Sequence, residues 1–577
     1  MDTKQFFLNP EQTHQRHYEA LRAIHLDNLT IKQAAQRFHF SAAYLKTLNA
    51  QFRQDLIQGA PNFFVSMPQG RPPGSAAPPQ LAQEIIAMRK YNRSVPDIHS
   101  ALAAKGEKIS LTAIDRLLKQ EGFAPLPRRT RQERAHAALP ASMEAPASEP
   151  IAWRDESFPT ELGGGPLVFL PLMAQLGLVP AIKRAQFPKT SVLSDVASIM
   201  SLLALKLLGN ERLSHDAPYS FDRALGLFAG LNVLPKNATL SSYSYCVRRE
   251  QNLALLHELA ALFQPDDSPC DTFNMDFKAI PHWGDESVLE NNWAGMRGKR
   301  IKSLLALLVQ NPDTGMLVYS DAGIRHRNEN DAVLEFIDFW REGQHNMPKM
   351  LIFDSRFTTY ENLSRINGEG IRFLTLRRRG IKLITQANAI PQEHWQTVHI
   401  AGRRKHPKVR VHDSLIEMRH YEGKIRQIIV TDHGHEKPTF LISNELDMPI
   451  EALIAKYAHR CLIEQEIAEQ IDFFHLNSPS SSLVIKVDFD LTLSLLAHNL
   501  FQAITRQLPG FEKCTVATIA RDVLQNGANI TIENRAITVR LKKKVHLPTL
   551  FELPWMKETT YLPWMNAAIS FNYASVS

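Results

Sequence analysis

The chain has 577 residues, 44% of them hydrophobic and 22% charged; at roughly 150 residues per domain this suggests three to five globular domains and confines disorder to linkers. Its four cysteines (Cys246, Cys270, Cys461, Cys514) are far apart with no CxxC pair, which argues against a disulfide framework or structural zinc and for a reducing compartment. The N-terminus lacks a signal pattern and the longest apolar run, SIMSLLALKLLG, is too short to span a membrane and carries Lys206, so a soluble, cytoplasmic protein is expected.

The net charge of +7 is unevenly placed. Residues 1–135 hold 19 Lys+Arg against 11 Asp+Glu, a balance of +8 that leaves −1 for the remainder. The N-terminal part therefore reads as a polyanion-binding region. Within a first domain, 1–62, LTIKQAAQRFHFSAAYLKTLNAQFR has helix-turn-helix spacing. Ala35 is the small residue at the helix crossing, Phe38 and Phe40 flank the turn, Ser41 caps the second helix, and Tyr44, Leu45 and Leu48 form its packing side. His39 stands where such turns usually carry glycine. Ala42, Ala43, Lys46, Thr47 and Gln51 would then face a DNA groove, although a plain helical hairpin fits the same pattern.

A Pro/Gly-rich linker, 63–80, contains GRPP, which reads as a spacer rather than a minor-groove hook. Residues 81–135 repeat the helix-turn-helix pattern, with Ser94 and Ser110 as caps, Arg116 on the last helix and a basic tail with Arg128, Arg129 and Arg131 that lies along phosphates or is simply solvated. A second linker, 136–150, leads to an expected helical domain, 151–268, in which LSDVASIMSLLALKLLG is a buried helix.

From 269 to 510 the pattern changes. DTFNMDFKAI, KSLLALLVQ and GMLVYSDAG read as three strands, DAVLEFIDFWREG as a helix, KMLIFD as a strand, TTYENLSRINGEG as a helix and IRFLTL as a fifth strand. This is the ribonuclease-H-like order, interrupted by a β-rich insertion at about 385–445. Asp276 lies in the first of these strands, Asp354 at the end of the fourth, and Glu464 on a late helix. Three converging carboxylates suit two magnesium (or manganese) ions and phosphoryl transfer. Asp271, Asp285, Asp321, Glu466 and Glu469 are rivals, but Glu466 is about 200° around the helix from Glu464. In KYAHRCLIEQEIAEQID, read as one helix, Tyr457, Arg460 and Glu464 fall within about 60° of one another. The pair Arg460/Glu464 could be an exposed i,i+4 ion pair.

These residues resemble the signature of bacterial DDE transposases of the insertion-sequence-four type: Tyr, two residues, Arg, three residues, Glu, six residues, Lys. Tyr457, Arg460 and Glu464 match, and the lysine position is Ile471. NMDFKAIPHWG, GMRGKRIKSLLALL, GIRHRNENDAVLEF and LIFDSRFTTYENL are similar to the family's segments around its two aspartates. The resemblance covers about residues 265–510; the arms and the C-terminal region, 511–577, are read by pattern alone. It implies metal binding by Asp276, Asp354 and Glu464, phosphate contacts from Tyr457 and Arg460, double-stranded element ends and target DNA as partners, and a homodimeric synaptic complex. The loop PHWGDESVLENNWAGMRGKR, with Trp283, Trp293, Arg297, Lys299 and Arg300, could hold DNA through stacking and basic contacts, or its tryptophans could be buried beneath the surface. The clusters at 377–380 and 402–410 could line a DNA path or be solvated faces.

The leading expectation is thus a cut-and-paste transposase performing Mg-dependent strand cleavage and transfer. A catalytically inactive DNA-binding regulator of transposase descent and a ribonuclease-H-fold nuclease are the alternatives.

Overall fold

The computed structural model describes residues 13–57, 59, 78–90, 93–123, 126, 147–216, 218–264, 271–282, 289–294, 298–343, 346–356, 359–400, 406–479, 481 and 483–573. Most of each linker (63–77 and 136–146), the basic tail with Arg128, Arg129 and Arg131, and Trp283, Asp285, Arg297 and residues 402–405 lie outside these. The chain divides into two compact units, Met1–Leu81 and Ala82–Ser577.

In the first unit, α1 (Thr13–His25), α2 (Ile31–Arg37) and α3 (Ala42–Ile57) close on a small core of Ala20, Ala23, Ala34, Ala35, Phe38 and Leu45. Thr30 and Gln33 start α2 with a reciprocal cap, and the Tyr44 amide donates to Ser41 Oγ at 3.2 Å to start α3. His39 takes a left-handed φ of 56° in the turn, as the glycine-like position requires. Lys46 is exposed. Tyr44 packs at the edge rather than in the core: its ring lies 5.6 Å from that of Phe40 and 5.7 Å from that of His17, and its hydroxyl is 3.1 Å from His17 Nε2.

Three more helices follow: α4 (Pro79–Lys90), α5 (Val95–Ala104) and α6 (Leu111–Gln120). Ser94 and Ser110 cap α5 and α6 through the amides of Asp97 and Ala113, and Arg116 is exposed. The next segment is not wholly helical as expected. Glu156–Thr160 is a strand, β1, whose antiparallel partner lies beyond residue 527. No local pattern announces it, because its partner is a different end of the chain. The helices α7 (Asp195–Leu207) and α8 (Arg249–Leu262) then supply core. Among the described residues no single helix is long and apolar enough to cross a membrane.

The large mixed sheet begins with β2 (Thr272–Pro281), β3 (Glu290–Ala294), β4 (Lys299–Gln310) and β5 (Leu317–Ile324). It continues through α9 (Ala332–Glu342), β6 (Met350–Phe353), α10 (Tyr360–Gly368) and β7 (Arg372–Leu376). β5, β4 and β2 are antiparallel neighbours; β2, β6 and β7 are parallel. Strand alternation puts Phe273 on one face, against Trp340 of α9 with ring centroids 4.6 Å apart, and Asn274 and Asp276 on the other. The expected insertion opens with α11 (Ile381–Asn388) and adds β8 (Gln396–His399), β9 (Lys408–Glu417), β10 (Lys424–Thr431) and β11 (Thr439–Ser443). β11 pairs with β7, so these strands extend the same sheet.

The late helix is not continuous. It divides into α12 (Ile450–His459) and α13 (Cys461–Asp472) at Arg460, followed by the buried α14 (Val484–Thr505). The C-terminal region forms β12 (Ala528–Glu533), β13 (Ala536–Leu541), β14 (Thr560–Leu562) and β15 (Ala567–Tyr573). Together with β1 these make a second sheet, ordered β1-β12-β13-β15-β14.

Candidate active site

The parallel register pairs Asn274 with Ile352. Two residues further on, past the end of β6, Asp276 and Asp354 stand level on adjacent strands. β6 is an apolar run whose first polar residue is Asp354, so the strand ends where the carboxylate leaves the core. Glu464, in the first turn of α13, faces the same place: Arg460 Nη1 is 3.5 Å from Asp276 Oδ2 and its Nη2 is 2.8 Å from Glu464 Oε1. The sequence thus brings Asp276, Asp354, Glu464, Tyr457 and Arg460 to one site.

Burial pushes the Asp276 carboxyl up to about 6, against the pull of Arg460, and repulsion from Glu464 and Asp354 adds to the rise. Arg460 is not an ordinary surface partner: its side chain is 12% exposed, against 52% for Glu464. Its guanidinium lies over the Tyr457 ring, 5.5 Å from the centroid. Arg460 Nε is buried without an acceptor in the chain, and the Tyr457 hydroxyl has the Arg460 side chain as its neighbour. One N–H of the guanidinium thus stands beside three carboxylates with no acceptor of its own in the chain. The carboxylates themselves offer an oxygen donor set that fits hard divalent cations, whose charge would relieve the repulsion felt by Asp276.

Ile471, at the position where the resemblance has lysine, packs against the main core. Lys299 and Arg300 are exposed at the start of β4. Trp293 is 54% exposed, which corrects the expectation of buried tryptophans: the segment is a strand, β3, paired with β4, and the Trp293 side chain projects off it. Of the cluster at 377–380, Arg377 donates to Gln427 Oε1 at 2.6 Å, Arg378 to the Ser355 carbonyl and Arg379 to the Pro438 carbonyl.

The rival carboxylates among the described residues are otherwise engaged. Asp321 faces Arg249, which also grips Asp488 at 2.7 Å, and Asp271 faces Lys349 at 2.6 Å. Glu466 and Glu469 turn inward to His498 of α14, and the ligand atoms of these three residues lie within 4.8 Å of one another. Sequence reading missed this group, because His498 lies in an apolar helix some 30 residues away. Glu466 Oε2 is 3.0 Å from Nε2, while Glu469 Oε2 is 3.7 Å from Nδ1. Glu466 thus meets one edge of the imidazole closely, while Glu469 stands beyond hydrogen-bond reach of the other.

Burial alone would lower the His498 imidazole, but Glu466 and Glu469 outweigh it and raise it. Burial pushes Glu469 up to about 7, against the pull of His498. Both groups hold protons in the fold that the unfolded chain releases, so their contribution is complete at low pH and is lost as pH rises through the folded values. The thermal midpoint without divalent ions is expected to fall between pH 6 and pH 8.5, with a flatter fall in Glu469→Gln. Equal slopes for both proteins would contradict this proton assignment.

No protein-family model matches the chain, and no curated protein does. Among solved structures the chain is similar to a piggyBac transposase, determined as a synaptic complex with hairpin DNA, at 10% identity and a TM-score of 0.39, over 64% of this chain and 82% of that one.

Proposed function

We propose that the chain is a DNA transposase whose ribonuclease-H-like core is the five-strand unit β5-β4-β2-β6-β7, with Asp276, Asp354 and Glu464 as its metal-binding carboxylates. The observation that carries this reading is the enclosed Arg460, which reaches Asp276 and Glu464 and keeps its Nε without an acceptor. A DNA phosphate supplies that acceptor, and a guanidinium grips such an oxyanion through several N–H groups. Two bound magnesium ions would activate a water or 3′-hydroxyl and stabilise the leaving oxygen of an in-line displacement. The chain's own part is positional: Arg460 and Tyr457 hold the scissile phosphate, and the three carboxylates fix where the cations sit. The test is incubation of purified protein, MgCl₂ and labelled DNA carrying the boundaries of the element that encodes it. A nick at the boundary is expected; intact DNA under conditions where the ends are bound would overturn the reading.

End recognition is assigned to the N-terminal arms, through Lys46 and Arg116, each on an exposed helix face, and through the basic residues Arg128, Arg129 and Arg131 of the sequence that follows. Removing residues 1–135 takes away the entire positive excess. Selective end binding and its steep salt dependence should fall together. A gel-shift assay in which the shortened protein still selects its ends would defeat this assignment.

A further inference from the structure

The break at Arg460 has a definable cause. In an uninterrupted helix the Ile463 amide would donate to the His459 carbonyl four residues back. Here the Ile463 amide donates to the Arg460 carbonyl at 3.1 Å, and the Arg460 amide to Tyr457 at 3.1 Å. Both are tight three-residue steps. The His459 carbonyl is released and accepts from Asn274 Nδ2 at 3.3 Å.

Asn274 is fully buried on β2, two residues before Asp276 and on the same face. The chain of polar groups continues behind it. Asn274 Nδ2 lies 3.5 Å from Gln310 Oε1 on β4, and Gln310 Nε2 donates to Glu466 Oε1 at 3.3 Å. Glu466 in turn faces His498 of α14. A buried amide row of this kind is costly unless its members are matched. At its outer end it holds one backbone oxygen, next to the residue whose guanidinium reaches Asp276 and Glu464.

We propose that Asn274, backed by Gln310, Glu466 and His498, is a positioning residue that holds the helix open at His459 and so aims Arg460 between the carboxylates. This rests on the functional reading above for its catalytic consequence, but not for its structural one. Asn274 touches no reacting atom; it acts through Arg460.

Two measurements on Asn274→Leu and the smaller, strand-compatible Asn274→Thr test it. The first is hydrogen exchange of the full-length protein without DNA. Exchange of the 457–464 segment should rise at least about tenfold while that of β4 and β6 stays as in the parent. Unchanged exchange at 457–464, or loss of protection across the whole sheet in both variants, would overturn the proposal. The second is single-turnover nicking. Each Asn274 variant should lose roughly a hundredfold in rate with end affinity intact, and adding Arg460→Ala should cost little more, because both changes remove the same placement. Fully multiplying losses would show that Asn274 does not act through Arg460. Absence of nicking by the parent protein would sink the transposase reading, and the exchange measurement would still decide the role of Asn274.

Discussion

Replacing Asp276 by asparagine is expected to lower single-turnover strand cleavage by at least about a thousandfold, some 4 kcal/mol of barrier, while leaving end binding near that of the parent. Asp276 is more enclosed than Glu464 and, like Asp354, stands two residues beyond the last parallel pair, Asn274 with Ile352, so its loss removes one side of the proposed cation site. The same substitution should raise the thermal midpoint at pH 8 without divalent ions. Burial and the neighbouring Glu464 and Asp354 disfavour the charged carboxylate more than Arg460 favours it, and a neutral amide escapes that penalty. Higher stability with lower activity is the pattern of a group retained for chemistry rather than for folding. Asp354→Asn should match it in cleavage. Retained activity in either variant, or loss of end binding in step with cleavage, would show that other carboxylates do the work.

Arg460→Ala separates a phosphate-holding role from that of an ion pair. A solvent-exposed pair is worth well under about 1 kcal/mol and its loss would leave chemistry untouched. Arg460 is nearly enclosed, stacked on Tyr457 and left with one unmatched N–H. Its removal is expected to cut cleavage and strand transfer by about two orders of magnitude or more, because a contact used in the transition state enters the barrier directly. Arg460→Lys should restore only part, since an ammonium cannot present the planar fork. Tyr457→Phe should be milder, since the ring that carries the guanidinium remains. A cleavage rate for Arg460→Ala within about threefold of the parent would end the phosphate assignment, because a surface pair could account for an effect that small.

The parts of this site that were legible in the sequence are those that local chemistry writes down. An apolar run ending in Asp354 marks a strand that stops at a carboxylate, and the alternation around Asp276 marks one face of a half-buried strand. The steps from Tyr457 to Arg460 to Glu464 place three side chains together whether the helix is straight or broken. The break itself was hidden. Residues 450–472 keep a helical pattern throughout, and what diverts the His459 carbonyl is an asparagine 185 positions earlier. The inward pairing of Glu466 and Glu469 was hidden for the same reason, since His498 is separated from them by the turn before α14. β1 was missed because its five residues carry no signal apart from the strand that completes them.

That last pairing has a consequence in time. Thr160 meets Ala528 across the smaller sheet, so this strand waits for a partner made about 370 residues later. At a synthesis rate of about 5–20 residues per second the wait is roughly 20–70 seconds. During it Phe158, which the finished sheet buries, has no permanent neighbour on β12. A message cut short before codon 528 would therefore yield a polypeptide carrying all three carboxylates and an unfinished body. Closing of this sheet is tied to the synthesis of β12, and products shortened before it should be recognised by proteolysis.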